Sequence, residues 1–158
     1  MKVELAPMGQ ADAVAIAGWH YDPPYSFYDW SADNDDQALL LGEHSREGRF
    51  FSAFDEDNEL VGFFEFQVKD DDVVVGLGLR PDLTGLGLGG EFVEAGIAFA
   101  EERFQPARFH LSVASFNERA IRVYERSGFA PVRIFDHETN GGVHSFLEMT
   151  RPAKSNRL

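Results

Sequence analysis

Five glycines crowd residues 78–90, in Gly78-Leu79-Arg80-Pro81-Asp82-Leu83-Thr84-Gly85-Leu86-Gly87-Leu88-Gly89-Gly90. The stretch joins a predicted strand to the start of a predicted helix. Glycines there let backbone N–H groups converge on an anion with no Cβ in the way. A helix start adds unsatisfied N–H groups and a positive dipole end. Together they suit a pyrophosphate, and no lysine is needed. A tight strand–helix turn is the purely structural alternative. The preceding run, Val73 to Leu79, carries Val, Val, Leu and Leu on one face and Val74, Gly76 and Gly78 on the other. Glycines on a strand face mark a bulge or a close neighbour, including a ligand.

Two anion chemistries compete for this loop. Gly85 to Gly90 satisfies G-x-G-x-x-G, the dinucleotide fingerprint. That fingerprint belongs on an early strand of a parallel sheet, with an acid about 20 residues further on. Here the chain before the loop reads as a meander. The next strand ends in Ala114-Ser115-Phe116-Asn117, with no acid. A phosphate-loop nucleotidase is excluded, because no G-K-[ST] follows the glycines.

The stretch resembles the acetyl-CoA loop of the GNAT superfamily of acyl-CoA N-acyltransferases, V-x-P-x-x-[RQ]-G-x-G-x-[GA]. Leu79, Pro81, Thr84, Gly85, Gly87 and Gly89 fall at those spacings. Thr84 stands where the family has Arg or Gln. Downstream, Asn117, Ala120, Tyr124, Gly128 and Phe129 resemble the family's N-x-x-A-x-x-x-Y-x-x-x-G-F. The resemblance covers roughly residues 50–150.

The resemblance implies an acetyl-CoA-dependent N-acetyltransferase. The backbone of Thr84, Gly85, Leu86, Gly87, Leu88, Gly89 and Gly90 would hold the pyrophosphate. The strand near Leu77 and Leu79 would polarise the thioester carbonyl. Asn117 would hydrogen-bond the pantetheine arm, or serve as N-cap of its helix, the two roles being compatible. Tyr124 would be the general acid for the leaving thiolate, the alternative being a buried structural tyrosine. The run from His110 to Phe129 is similar to the ribosomal-protein alanine N-acetyltransferases, which place a Glu where this chain has Ser112. For a general base the first candidate is Glu65, a carboxylate in the apolar run Gly62-Phe63-Phe64-Glu65-Phe66 that burial would make more basic. A structural hydrogen bond for Glu65, or a water chain as base, stands beside it.

An aromatic segment precedes these elements. Tyr21, Tyr25, Tyr28 and Trp30, with Asp22 and Asp29, suit a pocket that encloses a cation by ring faces and carboxylates. Capping the core is the alternative role. In the family this region helps wall the acceptor pocket. The five histidines show no metal-ligand spacing, so no metal is expected.

The chain has 158 residues, with 14 Lys+Arg against 27 Asp+Glu, a net charge of −13. That charge disfavours nucleic acid and favours a cationic partner. There is no Cys, so a disulfide framework and a thiol nucleophile are excluded. No apolar run reaches the roughly 18 residues of a membrane span, and Met1-Lys2-Val3-Glu4 lacks a signal-peptide core. The expected setting is cytoplasmic, without membrane or nucleic-acid partners.

Strands are expected at 2–6, 49–55, 60–68, 73–79, 108–114, 129–136 and 143–149. Helices are expected at 10–20, 34–46, 87–103 and 117–127. The helix at 87–103 is to face the core with Leu88, Phe92, Ala95 and Phe99, flanked by Val93, Ile97 and Ala100. The fold class is α+β, a GNAT-like, mostly antiparallel sheet of six to seven strands with about four helices on both faces. One domain spans 1–151, and 152–158 is a short flexible tail. The function expected is acetyl transfer from acetyl-CoA to a primary amine of a cationic small molecule or peptide. The alternative is a non-catalytic sensor of CoA or another nucleotide. The strand-forming C-terminus offers an edge for a homodimer.

Overall fold

A computed structural model describes residues 1–154. A seven-stranded sheet has the order β1-β2-β3-β4-β5-β7-β6. Its strands are β1 (Glu4–Pro7), β2 (Phe50–Phe54), β3 (Leu60–Lys69), β4 (Asp72–Leu79), β5 (Arg108–Ala114), β6 (Ala130–Thr139) and β7 (Gly142–Pro152). The helices are α1 (Gln10–Ala17), α2 (Asn34–Leu41), α3 (Glu43–Arg46), α4 (Gly89–Phe104) and α5 (Glu118–Arg126). Among the described residues, no helix is long and apolar enough to cross a membrane.

Helices cover both faces because β3 is apolar on both. Phe64 and Phe66 face α4, where the Phe64 ring stacks on Phe92 at 4.6 Å. Phe63 faces the other way, into a second cluster with Met8, Ala13, Ile16, Leu40 and Phe50 beneath α1 and α2. Each fully buried phenylalanine contributes about 1.5–3 kcal/mol. The buried stripe of α4 is Phe92, Val93, Gly96, Ile97 and Ala100. It is rotated slightly from the expected one, since Ala95 and Phe99 lie at its margin. Gly96 lies directly beneath the Phe64 ring, leaving no room for a Cβ.

Several expected boundaries move. The helix expected to 20 stops at Ala17, with Gly18 as C-cap. The helix expected over 34–46 breaks into α2 and α3 at Gly42, whose backbone is extended. The tail expected from 152 starts later. Pro152 pairs with Arg108 in β7, and the Ala153 N–H donates to the Ala107 carbonyl. The remainder of that tail, 155–158, lies outside the described residues.

One pairing positions everything that follows. All neighbouring strands are antiparallel except β4 and β5, which run parallel. Their register covers only Asp72↔Arg108, Val73↔Phe109 and Val74↔His110. Beyond Val74 the two strands part. Register fixes which backbone groups of β4 enter the gap. The Arg80 N–H donates to the Val61 carbonyl across from β3. Antiparallel pairs alternate between bonded and non-bonded. Phe63↔Gly78 and Glu65↔Gly76 are therefore the bonded pairs. Val75, Leu77 and Leu79 turn their N–H and C=O groups away from β3, toward the side where β5 has left.

Candidate active site

The gap between β4 and β5 opens into a cleft of about 1170 Å³. Its floor is Val74 to Leu79 on one side and Leu111, Ser112 and Val113 on the other. The glycine loop and the aromatic segment both line it, and Tyr25 reaches the loop side through Arg119.

A short 3₁₀ turn, Pro81–Leu83, leads into the loop. Gly85 and Gly87 then adopt φ of +74° and +79°, the left-handed region that favours glycine. No atom lies within 4 Å of where a Gly87 Cβ would be, so the space above the loop is open. α4 follows at once, and its N-cap residue Leu88 provides no side-chain cap. The first-turn N–H groups thus face the cleft unclaimed, as an anion site requires. The Thr84 hydroxyl turns back to donate to the Pro81 carbonyl at 2.8 Å. Thr84, Gly85, Gly87, Leu88, Gly89 and Gly90 all line the cleft, as do Leu77 and Leu79. Leu86 is the exception: its side chain is exposed away from the cleft.

The glycines on β4 have a local explanation. A Cβ at Gly78 would stand 2.5 Å from the Phe63 ring, and one at Gly76 would stand 3.2 Å from Glu65 Oε1. They clear space for the cross-strand residues of β3, and the β3–β4 register is unbroken.

α5 crosses the far wall. Gly89 packs against Val123, whose side chain would stand 3.2 Å from an added Cβ. The Asn117 Oδ1 accepts the Ala120 N–H, capping α5, and Nδ2 donates to the Tyr28 hydroxyl at 3.2 Å. The capping role expected for Asn117 is present. Tyr124 lines the cleft one turn beyond Ala120. Burial, and then the neighbouring Tyr28, push its phenol well above the ordinary value. No hydrogen bond occupies that hydroxyl among the described residues.

The aromatic segment straps the cleft. The Tyr21 hydroxyl donates to the Leu79 carbonyl at 2.6 Å. The Tyr28 hydroxyl accepts the Ala114 N–H at 3.1 Å. The strap therefore ties β4 to β5 where they have parted. Burial raises both phenols above their ordinary value, with Asp29 adding to the effect at Tyr21. At Tyr28 the hydrogen bonds from Asn117 and Ala114 work against burial. Trp30 belongs to the wall and the core at once, with its ring 5.4 Å from Phe63 and 6.1 Å from Phe50. Tyr25 also lines the cleft, its ring beneath the Arg119 guanidinium. Of the two acids expected with these rings, Asp29 lines the cleft, accepting from the Tyr21 N–H and contacting His20. Asp22 does not line it.

Glu65 lines the cleft, half-buried, and the structural hydrogen bond expected as its alternative role is present: it is ion-paired with Arg49, and Gln67 also donates to it. The carboxyl that is raised is Asp36, on α2. Loss of hydration is the first cause, followed by the charges of Asp33 and Glu65, with His137 acting against them. Asp36 has no ion pair among the described residues. It was hidden in the acidic run Asp33, Asp35 and Asp36. Asp33 differs in role: it caps α2 and accepts from Thr139 and Asn140, which hold its carboxyl below the ordinary value. His137 and Phe135, from β6, also line the cleft.

The profile of the acetyltransferase (GNAT) family matches residues 13–129. The chain belongs to this family. A mycothiol acetyltransferase of Propionibacterium freudenreichii is 40% identical over 85 residues, covering 51% of this chain and 27% of that protein. One from Geodermatophilus obscurus is 35% identical over 109 residues, covering 69% and 30%. The chain thus spans less than a third of the length of these curated relatives. Among solved structures, the spermidine N-acetyltransferase of Vibrio cholerae in complex with CoA and spermine superposes with a TM-score of 0.76 at 18% identity. That match covers 96% of this chain and 95% of the other. At that identity the likeness is one of fold. GNAT acetyltransferases use acetyl-CoA.

Proposed function

We propose that this chain transfers an acetyl group from acetyl-CoA to the primary amine of a cationic small molecule. One observation carries the reading. β4 and β5 part beside an uncapped, glycine-built helix start, so one cleft holds both an anion cradle and unpaired strand N–H groups. The loop backbone suits the pyrophosphate, and the β5-facing groups of Leu77 and the N–H of Leu79, beyond the last ladder pair, suit an extended, amide-bearing arm. An N–H of β4 aimed into the gap would stabilise negative charge developing on the thioester oxygen.

The chemistry then divides among named groups. The amine nitrogen attacks the carbonyl carbon, a C–N bond forms and the C–S bond breaks. Tyr124 gives its phenolic proton to the departing sulfur. The proton lost by nitrogen passes to Asp36 or to water, and solvent returns one to Tyr124. Asp36 suits this role because its carboxyl, near Asp33 and Glu65, is raised above the ordinary value. The cationic acceptor is supported by Asp29, Asp36 and Glu65, which line the cleft with the rings of Tyr21, Tyr28 and Trp30. The net charge of −13 favours its approach.

Calorimetric titration with acetyl-CoA, with NADH and ATP as controls, tests the cradle. Thiol release over a panel of polyamines, amino acids and aminoglycosides tests turnover. Selective acetyl-CoA binding with turnover on a polycationic amine is the expected result. Binding without turnover on any amine would favour a sensor. Binding of NADH in place of acetyl-CoA would overturn the proposal.

A further inference from the structure

The loop departs from the GNAT pattern at Thr84, where the resemblance calls for a long polar side chain. Thr84 cannot compensate, since its hydroxyl is committed to Pro81. The structure brings a cation to the same place from another element. Arg119, in the first turn of α5, reaches across so that its Nη1 lies 3.4 Å from where a Gly85 Cβ would be. Gly85 opens the cradle. On its other side the Arg119 guanidinium rests on the Tyr25 ring, 4.1 Å from the centroid. That contact fixes the side chain, so little rotamer entropy remains to be lost on binding.

Among the described arginines, Arg49, Arg80, Arg133 and Arg151 pair with carboxylates, whereas Arg46, Arg103, Arg108, Arg119, Arg122 and Arg126 do not. Arg119 has no carboxylate partner among the described residues. Arg122 and Arg126 follow at three and seven residues, on the same helix face, and also line the cleft. Arg119 alone lies against the glycine loop. A planar guanidinium presents paired donors that match phosphate oxygens, where a backbone cradle presents single ones.

We propose that Arg119 is the side-chain ligand of the acyl-CoA pyrophosphate, filling from α5 the place that Thr84 leaves empty in the loop. This rests on acetyl-CoA being the donor, and the test separates the two. Acetyl-CoA and dephospho-CoA are titrated into wild type, Arg119→Ala and Arg119→Lys, with circular dichroism as a check on folding. Arg119→Ala should weaken both ligands by the same factor, at least about tenfold, as losing one charged hydrogen-bonding group implies. Arg119→Lys should recover part of the loss. Thr84→Arg placed in the Arg119→Ala background should recover part of it from the other side. In steady state the KM for acetyl-CoA should rise by more than kcat falls.

Unchanged affinity in Arg119→Ala overturns the inference and leaves the donor reading intact. A loss seen with acetyl-CoA but not with dephospho-CoA also overturns it, by moving the contact to the 3′-phosphate. Failure of Thr84→Arg to recover any affinity overturns the exchange of roles between loop and helix. A wild-type protein that binds neither ligand overturns the donor reading, and this inference with it.

Discussion

The two sites proposed in the cleft, one for an anion and one for an acceptor amine, are made of different material. The anion site is backbone: one continuous stretch from Thr84 to Gly90, two left-handed glycines and the uncapped start of α4. The acceptor site is side chain, gathered from the aromatic strap, α2, β3 and β6. A backbone site depends on spacing within a few residues, so it tolerates change around it. A side-chain site depends on how distant elements pack, so any of its members can be exchanged. That is the physical reason one GNAT framework hosts many acceptors.

Breaking the backbone site should have the largest effect. Gly87→Val forces a β-branched residue to φ +79° in open space. Strain of roughly 1–3 kcal/mol, together with N–H groups turned from the anion, should weaken acetyl-CoA at least about a hundredfold. Calorimetry reads the loss, and an unchanged far-ultraviolet spectrum shows that the domain still folds. Tyr124→Phe comes next. It removes only the proton, so kcat should fall at least about tenfold, with little change in the affinity for acetyl-CoA. Unchanged turnover would reject Tyr124 as the acid.

The acceptor site should respond more mildly and chiefly through pH. Asp36→Asn should lower kcat/KM about fivefold at neutral pH, because water also accepts the proton. The raised Asp36 carboxyl binds its proton more tightly when folded. Its contribution to stability is present below the ordinary carboxylate value and lost as pH rises through the folded value. Asp36→Asn should therefore raise the melting temperature at neutral pH and lose that gain in acid. Glu65→Gln sharpens the contrast. Glu65 helps to raise Asp36, so its neutralisation should move the acidic limb of the rate profile to lower pH without abolishing it. A limb that stays in place would separate Asp36 from catalysis. The smallest effect belongs to Tyr25→Leu, which frees Arg119 and should weaken acetyl-CoA about two- to threefold, the size of an exposed cation–π contact.

The same contrast explains what the sequence made legible. Alternating Phe and Val runs, acidic turns and the helical stripe of 87–103 located every strand and the longest helix. The glycine loop and the Asn117-to-Phe129 run placed the cleft, because spacing along one segment is all they need. The acceptor site was only half legible. Glu65 stood out as a charge among phenylalanines, yet nothing in the chain around it shows Arg49 arriving from beside β2. Asp36 resembled its neighbours Asp33 and Asp35 in the sequence, and only its place near Glu65 and His137 distinguishes it. Gly42 ended a helix that periodicity alone would have continued, since apolar spacing is blind to a single extended residue.

The early end of the β4–β5 ladder has a thermodynamic consequence. A strand left half-bonded inside a sheet is an unfinished structure, and an extended ligand in that gap would serve as its missing neighbour. Donor occupancy and fold stability would then be one equilibrium: at a donor concentration one hundred times Kd, the folded state gains about 2.7 kcal/mol. Amide exchange at Leu77 and Leu79 should be where that coupling is felt first. The protein would be at its most rigid when it is loaded to react.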